Sequence, residues 1–157
     1  MPVTRLNHAV LYVRDAERAA AFYQEAFGFE VVMSFPGAAF LRAAGTENHH
    51  DLGLFSVGPD APLPQAGRVG LYHLAWEVPT IDELAAMAEK LEAMAALVGA
   101  SDHGASKSLY AKDPDGNEFE VMWAVPREAW TPEIEHGAPT KRLDLQAELA
   151  TWGGTGG

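Results

Sequence analysis

The sequence predicts an α+β fold that uses one βαβββ unit twice and adds a short helical extension at its C-terminal end. Three observations lead there. The apolar patterns read strand, helix and three strands, and after an interruption they read so again. The interruption, Gly58 to Gly67, packs three prolines and two glycines into ten residues, a composition that suits a connector and neither helix nor sheet. Finally, Leu6, His8 and Val13 stand at offsets 0, 2 and 7 of the first unit, and Leu71, His73 and Val78 repeat those offsets in the second. At 157 residues the chain is expected to form a single domain, made of modules 1–64 and 65–125 and an extension 126–157.

The elements follow in order. Thr4 to Val13 is β-branched and aromatic with too little polarity for one wet face, which predicts a strand covered on both sides. Asp15 caps a helix that runs to Phe27 with Ala19, Phe22, Tyr23 and Ala26 on one face, and Gly28 stops it. Glu30–Phe35, Ala38–Ala43 and Asp51–Val57 read as short strands, parted by Pro36-Gly37 and by residues 45–50. In the second unit Gly70–Val78 is a strand and Thr80–Val98 a helix opened by Thr80 and Asp82. A further strand is expected near Val98–Ser101. Ser108–Lys112 and Glu118–Val125 complete the unit around a Pro114-Asp115-Gly116-Asn117 turn. Asp144–Trp152 has helical periodicity and runs into Gly153-Gly154-Thr155-Gly156-Gly157, expected to fray. Trp130 and Trp152 are expected to pack on the body or on a second subunit.

Composition narrows the function. With 22 acidic and 11 basic side chains the net charge is −11, a field that repels a phosphate backbone, so nucleic acid is not an expected partner. No apolar run approaches the ~20 residues of a membrane span, and the first residues, Met1-Pro2-Val3-Thr4-Arg5, lack the pattern of an export signal. With no cysteine there is no disulfide to mark the compartment, and a cytoplasmic location is expected.

The histidines carry the chemistry. Of His8, His49, His50, His73, His103 and His136, five lie in or beside predicted strands, where solvated histidines seldom collect. A histidine on an apolar strand is ordinarily a hydrogen-bonded core residue. The repeat sets His8 and His73 apart, because packing about a pseudo-twofold axis would let equivalent positions share one ion. Glu118 and Glu120 share a face of the closing strand and could supply a carboxylate. Matching the strand ends, Val57 to Val125, puts Leu52 opposite Glu120; Leu52 is apolar and expected to face inward, which selects Glu120 and leaves Glu118 toward the turn and water. Two imidazoles and a carboxylate with open positions suit non-haem Fe(II) oxygenases and some catalytic zinc sites.

With these residues in place, the chain resembles the vicinal oxygen chelate superfamily, which includes glyoxalase I, bleomycin and fosfomycin resistance proteins and type I extradiol ring-cleavage dioxygenases. The resemblance covers roughly residues 1–125 and implies two modules forming a cup-shaped mixed sheet around a metal held by His8, His73 and Glu120. His103-Gly-Ala-Ser-Lys-Ser-Leu109-Tyr110 followed by Asp113-Pro114-Asp-Gly116-Asn-Glu-Phe-Glu120 is similar to the extradiol signature, with a departure at Ser101. His49-His50 before Asp51 is similar to the segment whose second histidine is the acid/base residue in that group.

The resemblance thus implies a dioxygenase acting on a catechol with O2, using Fe(II), or Mn(II), which the ligand set also accepts. Its catalytic residues would be His50, His103 and Tyr110, and the protein would be a homodimer. Three protein ligands leave open the positions that a diol and O2 require. Phe40, Phe55, Trp76 and Met122 are candidate pocket walls. Two other readings keep the fold: a Lewis-acid isomerase or thiol transferase, and a metal-free binding module of the bleomycin-resistance type. The isomerase predicts a further carboxylate where the matching puts Leu52, whereas the thiol transferase also uses two histidines and a glutamate but does not require His50, His103 and Tyr110.

Overall fold

The computed structural model describes residues 2–154. Within these the chain divides into two compact units, residues 2–67 with 113–116, and residues 68–112 with 117–154.

The first unit contains β1 (Ala9–Val13), α1 (Ala16–Phe27), β2 (Glu30–Phe35), β3 (Ala38–Arg42) and β4 (Leu52–Ser56). Its sheet has the order β1-β4-β3-β2, with β1 parallel to β4 and the other pairs antiparallel. The Asp15 side chain accepts hydrogen bonds from the Glu17 and Arg18 amides, satisfying donors that the first turn leaves open. Gly28 ends the helix at φ 68°, a left-handed conformation that glycine adopts without strain. Ala19, Tyr23 and Ala26 are buried as the spacing predicts, and Phe22 is half-buried. They meet a sheet face formed by Val13, Leu41, Leu52 and Leu54, each all but inaccessible. Burying a side chain of this size stabilises by roughly 1.5–3 kcal/mol, so this face is the core of the unit.

The second unit repeats the plan with β5 (Leu74–Glu77), α2 (Ile81–Ala93), β6 (Leu97–Asp102), β7 (Ser106–Lys112) and β8 (Glu118–Ala124). The sheet order is β5-β8-β7-β6, with β5 parallel to β8 and a short edge strand, β9 (Lys141–Arg142), beyond β6. Both units carry a register irregularity at the same place, between Val31 and Met33 in β2 and between Leu97 and Gly99 in β6. Thr80 caps α2 by accepting from the Glu83 amide. The core face holds Leu109, Ala111, Phe119, Val121 and Trp123. The extension adds α3 (Pro132–Glu135), the two-residue β9 (Lys141–Arg142) against β6, and α4 (Leu145–Trp152) capped by Asp144.

Four expectations are corrected. The first strand begins at Ala9, not Thr4, and only one face is covered: Leu11 and Val13 are buried, whereas Val10 and Tyr12 are 51% and 76% exposed. Strand β5 starts at Leu74, not Gly70. The second helix ends at Ala93, five residues before Val98, because Ala95 takes a left-handed φ of 53° and the chain re-enters the sheet at Leu97. Trp130 and Trp152 both pack within unit 2, Trp130 Nε1 donating to the Val125 carbonyl and Trp152 lying 5.7 Å from Trp123. Gly154 donates to Asp82, while the expected fraying of Thr155–Gly157 lies outside the described residues.

Candidate active site

Strand alternation gives each sheet two faces, and in both units the helix covers only one. His8 directly precedes β1 and His73 directly precedes β5, so both project on the face away from the helix. The repeat inferred from the offsets is therefore also a repeat in three dimensions within each unit.

In unit 1, the His8 and His50 rings meet at a tilt of 53° with centroids 4.6 Å apart, and His50 meets Phe40 edge-on at 5.0 Å. Phe40 in turn packs edge-on against Phe55. His49 is exposed and its Nδ1 lies 3.1 Å from Nδ1 of His50, so one of the two nitrogens donates. Burial, then the neighbouring His8 and His49, push the His50 imidazole below its ordinary range, against a weaker opposing effect of Asp51. His50 is thus neutral near neutrality and able to accept a proton.

In unit 2, a continuous line of side chains crosses the helix-free face. His73 Nε2 stands 3.0 Å from Glu120 Oε2. Glu120 is directly opposite Tyr110 across the β7–β8 ladder, and the His73 and Tyr110 rings are 5.7 Å apart. Tyr110 Oη lies 2.7 Å from Nε2 of His103, whose Nδ1 is 3.1 Å from Thr140 Oγ1. Burial, then the Glu120 carboxylate, raise the Tyr110 phenol above its ordinary range and keep its proton in place. Glu118, on the same face, comes within 4.0 Å of His73 Nδ1.

The donor atoms suit a metal. Adjacent donors at ~2.1 Å from an octahedral ion are about 3 Å apart, and the His73–Glu120 separation is 3.0 Å. His73 Nδ1 is buried without a hydrogen-bond partner, and the Glu118 carboxylate lies 4.0 Å from it. The expected site residues thus fall into three pairs, His8 with His50, His73 with Glu120, and His103 with Tyr110. Among the described residues no three His, Cys, Asp or Glu side chains cluster as a complete metal site. His136 caps α3 and donates through Nδ1 to the Pro132 carbonyl, apart from these pairs.

The ladders put Glu120 on the face opposite to the one expected from end-matching. Ala9 pairs with Leu52 and the equivalent Leu74 pairs with Phe119, so the counterpart of Leu52 is Phe119 and that of Glu120 is Gly53. Leu52 and Leu54 face the helix, and Glu120 faces away from it together with Glu118 and Met122. His50 lies before the strand and turns onto Phe40. Trp76 shares the helix-facing side with its ladder partner Val121 and is not a wall of the helix-free face. Phe40, opposite Gly53 and packed against Phe55, is on the helix-free side of unit 1, and Met122, opposite Ser108, is on the helix-free side of unit 2.

Three contributors had no motif to announce them. Thr140 reaches His103 only because β9 pairs with β6, and Ser108, opposite Met122 on the helix-free face and fully buried, reads in sequence as an ordinary strand serine although its hydroxyl has no hydrogen-bond partner. Asn48 is buried in the loop that carries His50 and bonds to residues more than forty positions away.

A profile of the Glyoxalase/Bleomycin resistance protein/Dioxygenase superfamily matches residues 5–121. The chain is 34% identical over 149 residues to a catechol-2,3-dioxygenase of Bacillus subtilis (strain 168), covering 93% of this chain and 51% of that protein. It thus spans about half the length of that relative. It is also 34% identical over 140 residues to biphenyl-2,3-diol 1,2-dioxygenase 3 of Rhodococcus globerulus, covering 82% and 70% of the two chains. The crystal structure of a lactoylglutathione lyase from Agrobacterium tumefaciens superposes with a TM-score of 0.60 at 27% identity, over 78% of this chain and 96% of that one.

Proposed function

Because the chain belongs to the glyoxalase/bleomycin resistance protein/dioxygenase superfamily, we propose that it is a metal-dependent extradiol dioxygenase, opening catechol-type aromatic diols with O2. The observation that carries this reading is the contact of Tyr110 with His103, 2.7 Å apart on the face that also bears His73 and Glu120. A Lewis-acid isomerase needs no such phenol–imidazole pair. The two dioxygenase relatives at 34% identity support the same choice. An additional carboxylate ligand in unit 1, expected of the isomerase reading, has no counterpart, since the repeat partner of Glu120 is Gly53.

In this reading His8, His73 and Glu120 hold the metal, Fe(II) or Mn(II), which when bound supplies a redox-active Lewis acid for the diol and O2. The chain's own residues move the protons. His50, neutral because its imidazole is pushed below its ordinary range, takes a phenolic proton from the diol through an unprotonated ring nitrogen. As its Nε2–H tautomer His103 donates to Tyr110 across their 2.7 Å contact, which frees the phenolic O–H of Tyr110 to donate to a substrate oxygen. A ring C–C bond beside the diol breaks and both atoms of O2 enter the product, so no external reductant is consumed. His50 returns its proton as the ring opens. The working form is a homodimer in the cytoplasm, and light scattering that returns the mass of one chain would overturn the dimer.

The reaction is tested by loading the protein anaerobically with Fe(II), and separately with Mn(II), adding a panel of catechols, admitting O2, and following the yellow ring-opened product together with oxygen uptake. Metal-dependent product with matching uptake is expected. No product from any catechol despite one bound metal per chain would transfer the site to isomerase or thiol-transfer chemistry. Failure to bind metal would leave a binding module.

A further inference from the structure

The loop between β3 and β4 is closed by a polar web inside unit 1 whose donor and acceptor roles have one solution. An arginine guanidinium only donates and an ionised carboxylate only accepts. Asn48, 8% exposed, stands between one of each: its Oδ1 is 2.7 Å from Arg5 Nη2 and its Nδ2 is 2.7 Å from Asp51 Oδ1. Its amide therefore has a single orientation. The same Oδ1 accepts a second bond from Asn7 Nδ2 at 3.1 Å, and Asn48 Nδ2 also donates to the Asn7 carbonyl at 2.9 Å. Asn48 thus accepts two bonds and donates two, its full capacity.

The orientation passes along the chain. With its Nδ2 engaged by Asn48, Asn7 presents Oδ1 to His8, whose Nδ1 lies 2.9 Å away. An amide oxygen only accepts, so the bond requires the proton on Nδ1. A neutral imidazole carries one proton, and Nε2 is then left with its lone pair. Around the web, Asp51 Oδ2 accepts from the Ala43 amide and the Asp51 carbonyl accepts from the Ala9 amide, which ties the loop to the residue after His8.

We propose that Asn7 and Asn48 are positioning residues that hold His8 as the Nδ1-protonated tautomer, with Nε2 ready for a divalent cation. The inference rests on the reading of His8 as a metal ligand and extends it to residues outside any motif. A ligand histidine whose second nitrogen is already bonded meets the metal in one tautomer and one orientation, and loss of such a partner typically lowers metal affinity 10- to 100-fold.

The test uses two readouts on the full chain. Long-range proton–nitrogen correlation spectra of the metal-free protein, recorded above the ordinary imidazole titration range, report each histidine's tautomer, and calorimetry with Mn(II) alone reports affinity. His8 of the wild-type protein is expected on Nδ1–H. Asn7→Leu, at an exposed position that leaves the core intact, should release His8 into a mixture of tautomers and weaken Mn(II) binding about 10- to 100-fold, with the tautomer of His73 unchanged. Asn7→Asp keeps an acceptor beside His8 and should keep its tautomer. Asn48→Ala should shift His8 in the same direction as Asn7→Leu. A wild-type His8 protonated on Nε2 would overturn the proposal, as would wild-type Mn(II) affinity in Asn7→Leu. If Asn7→Leu moves both readouts while the loaded protein opens no catechol, the positioning role stands and the proposed reaction falls.

Discussion

In the proposed reaction His50 and Glu120 have separable duties, and single substitutions distinguish them. His50→Ala should bind metal as the wild-type protein does yet lose about 10²- to 10⁴-fold in turnover, the usual contribution of a general acid/base; unchanged turnover would remove His50 from the mechanism. Glu120→Ala should lose the metal itself, and retention of stoichiometric metal would show that another carboxylate serves. That His8, His73, His103 and Tyr110 stand out was legible from the repeat offsets and the signature around His103, and the structure brings His103 to Tyr110 and His73 to Glu120. The face of Glu120 was not legible. Aligning Val57 with Val125 slipped the repeat by one residue, and in a strand a slip of one carries a side chain to the opposite face. The ladder pairs Ala9–Leu52 and Leu74–Phe119 set the register that end-matching missed. Asn48 was illegible for a different reason, since its partners Arg5 and Asn7 become neighbours only once β1 lies beside β4.

Among the elements, the extension is tied to the sheet by charge. Lys107 is buried on the core face of β7, bonded to Asp102 at 2.6 Å and to Glu148 of α4 at 3.1 Å. Burial alone would raise the Asp102 carboxyl, but the hydrogen bonds from Lys107 and the Gly104 amide and the charges of Lys107 and Lys141 outweigh it, so the carboxyl sits below its ordinary value. A depressed carboxyl stabilises the folded state above the unfolded-state value, and that contribution disappears as pH falls through the folded-state value. Asp102→Asn should therefore cost about 2 kcal/mol in urea unfolding at neutral pH, with the difference from wild type vanishing in strong acid. An equal difference at both pH values would contradict this account. The helix α1 was predicted to its caps because Asp15 and Gly28 are explicit signals. The end of α2 was hidden, since alanine at position 95 holds a left-handed turn that sequence associates with glycine.

At the scale of the whole molecule, the net charge of −11 and the absence of a spanning helix among the described residues set the terms of encounter. The summed field gathers divalent cations and disperses with salt. Apparent Mn(II) affinity is expected to fall several-fold as sodium chloride is raised to a few tenths molar, and calorimetry across that series checks it; an affinity independent of salt would confine attraction to the immediate ligands. The overall α+β plan was legible because patterning of strands and helices is written locally twice, whereas α3 and β9 were not, being too short for periodicity to register. The short β9 also has a consequence for how the protein ages. Residues 137–140 are largely exposed and directly precede the two-residue strand that keeps Thr140 against His103. One proteolytic nick in that stretch would leave both five-element repeats folded while freeing Nδ1 of His103. Stored preparations would then lose catalytic quality ahead of any change in melting behaviour, and intact mass is the better guide to their fitness.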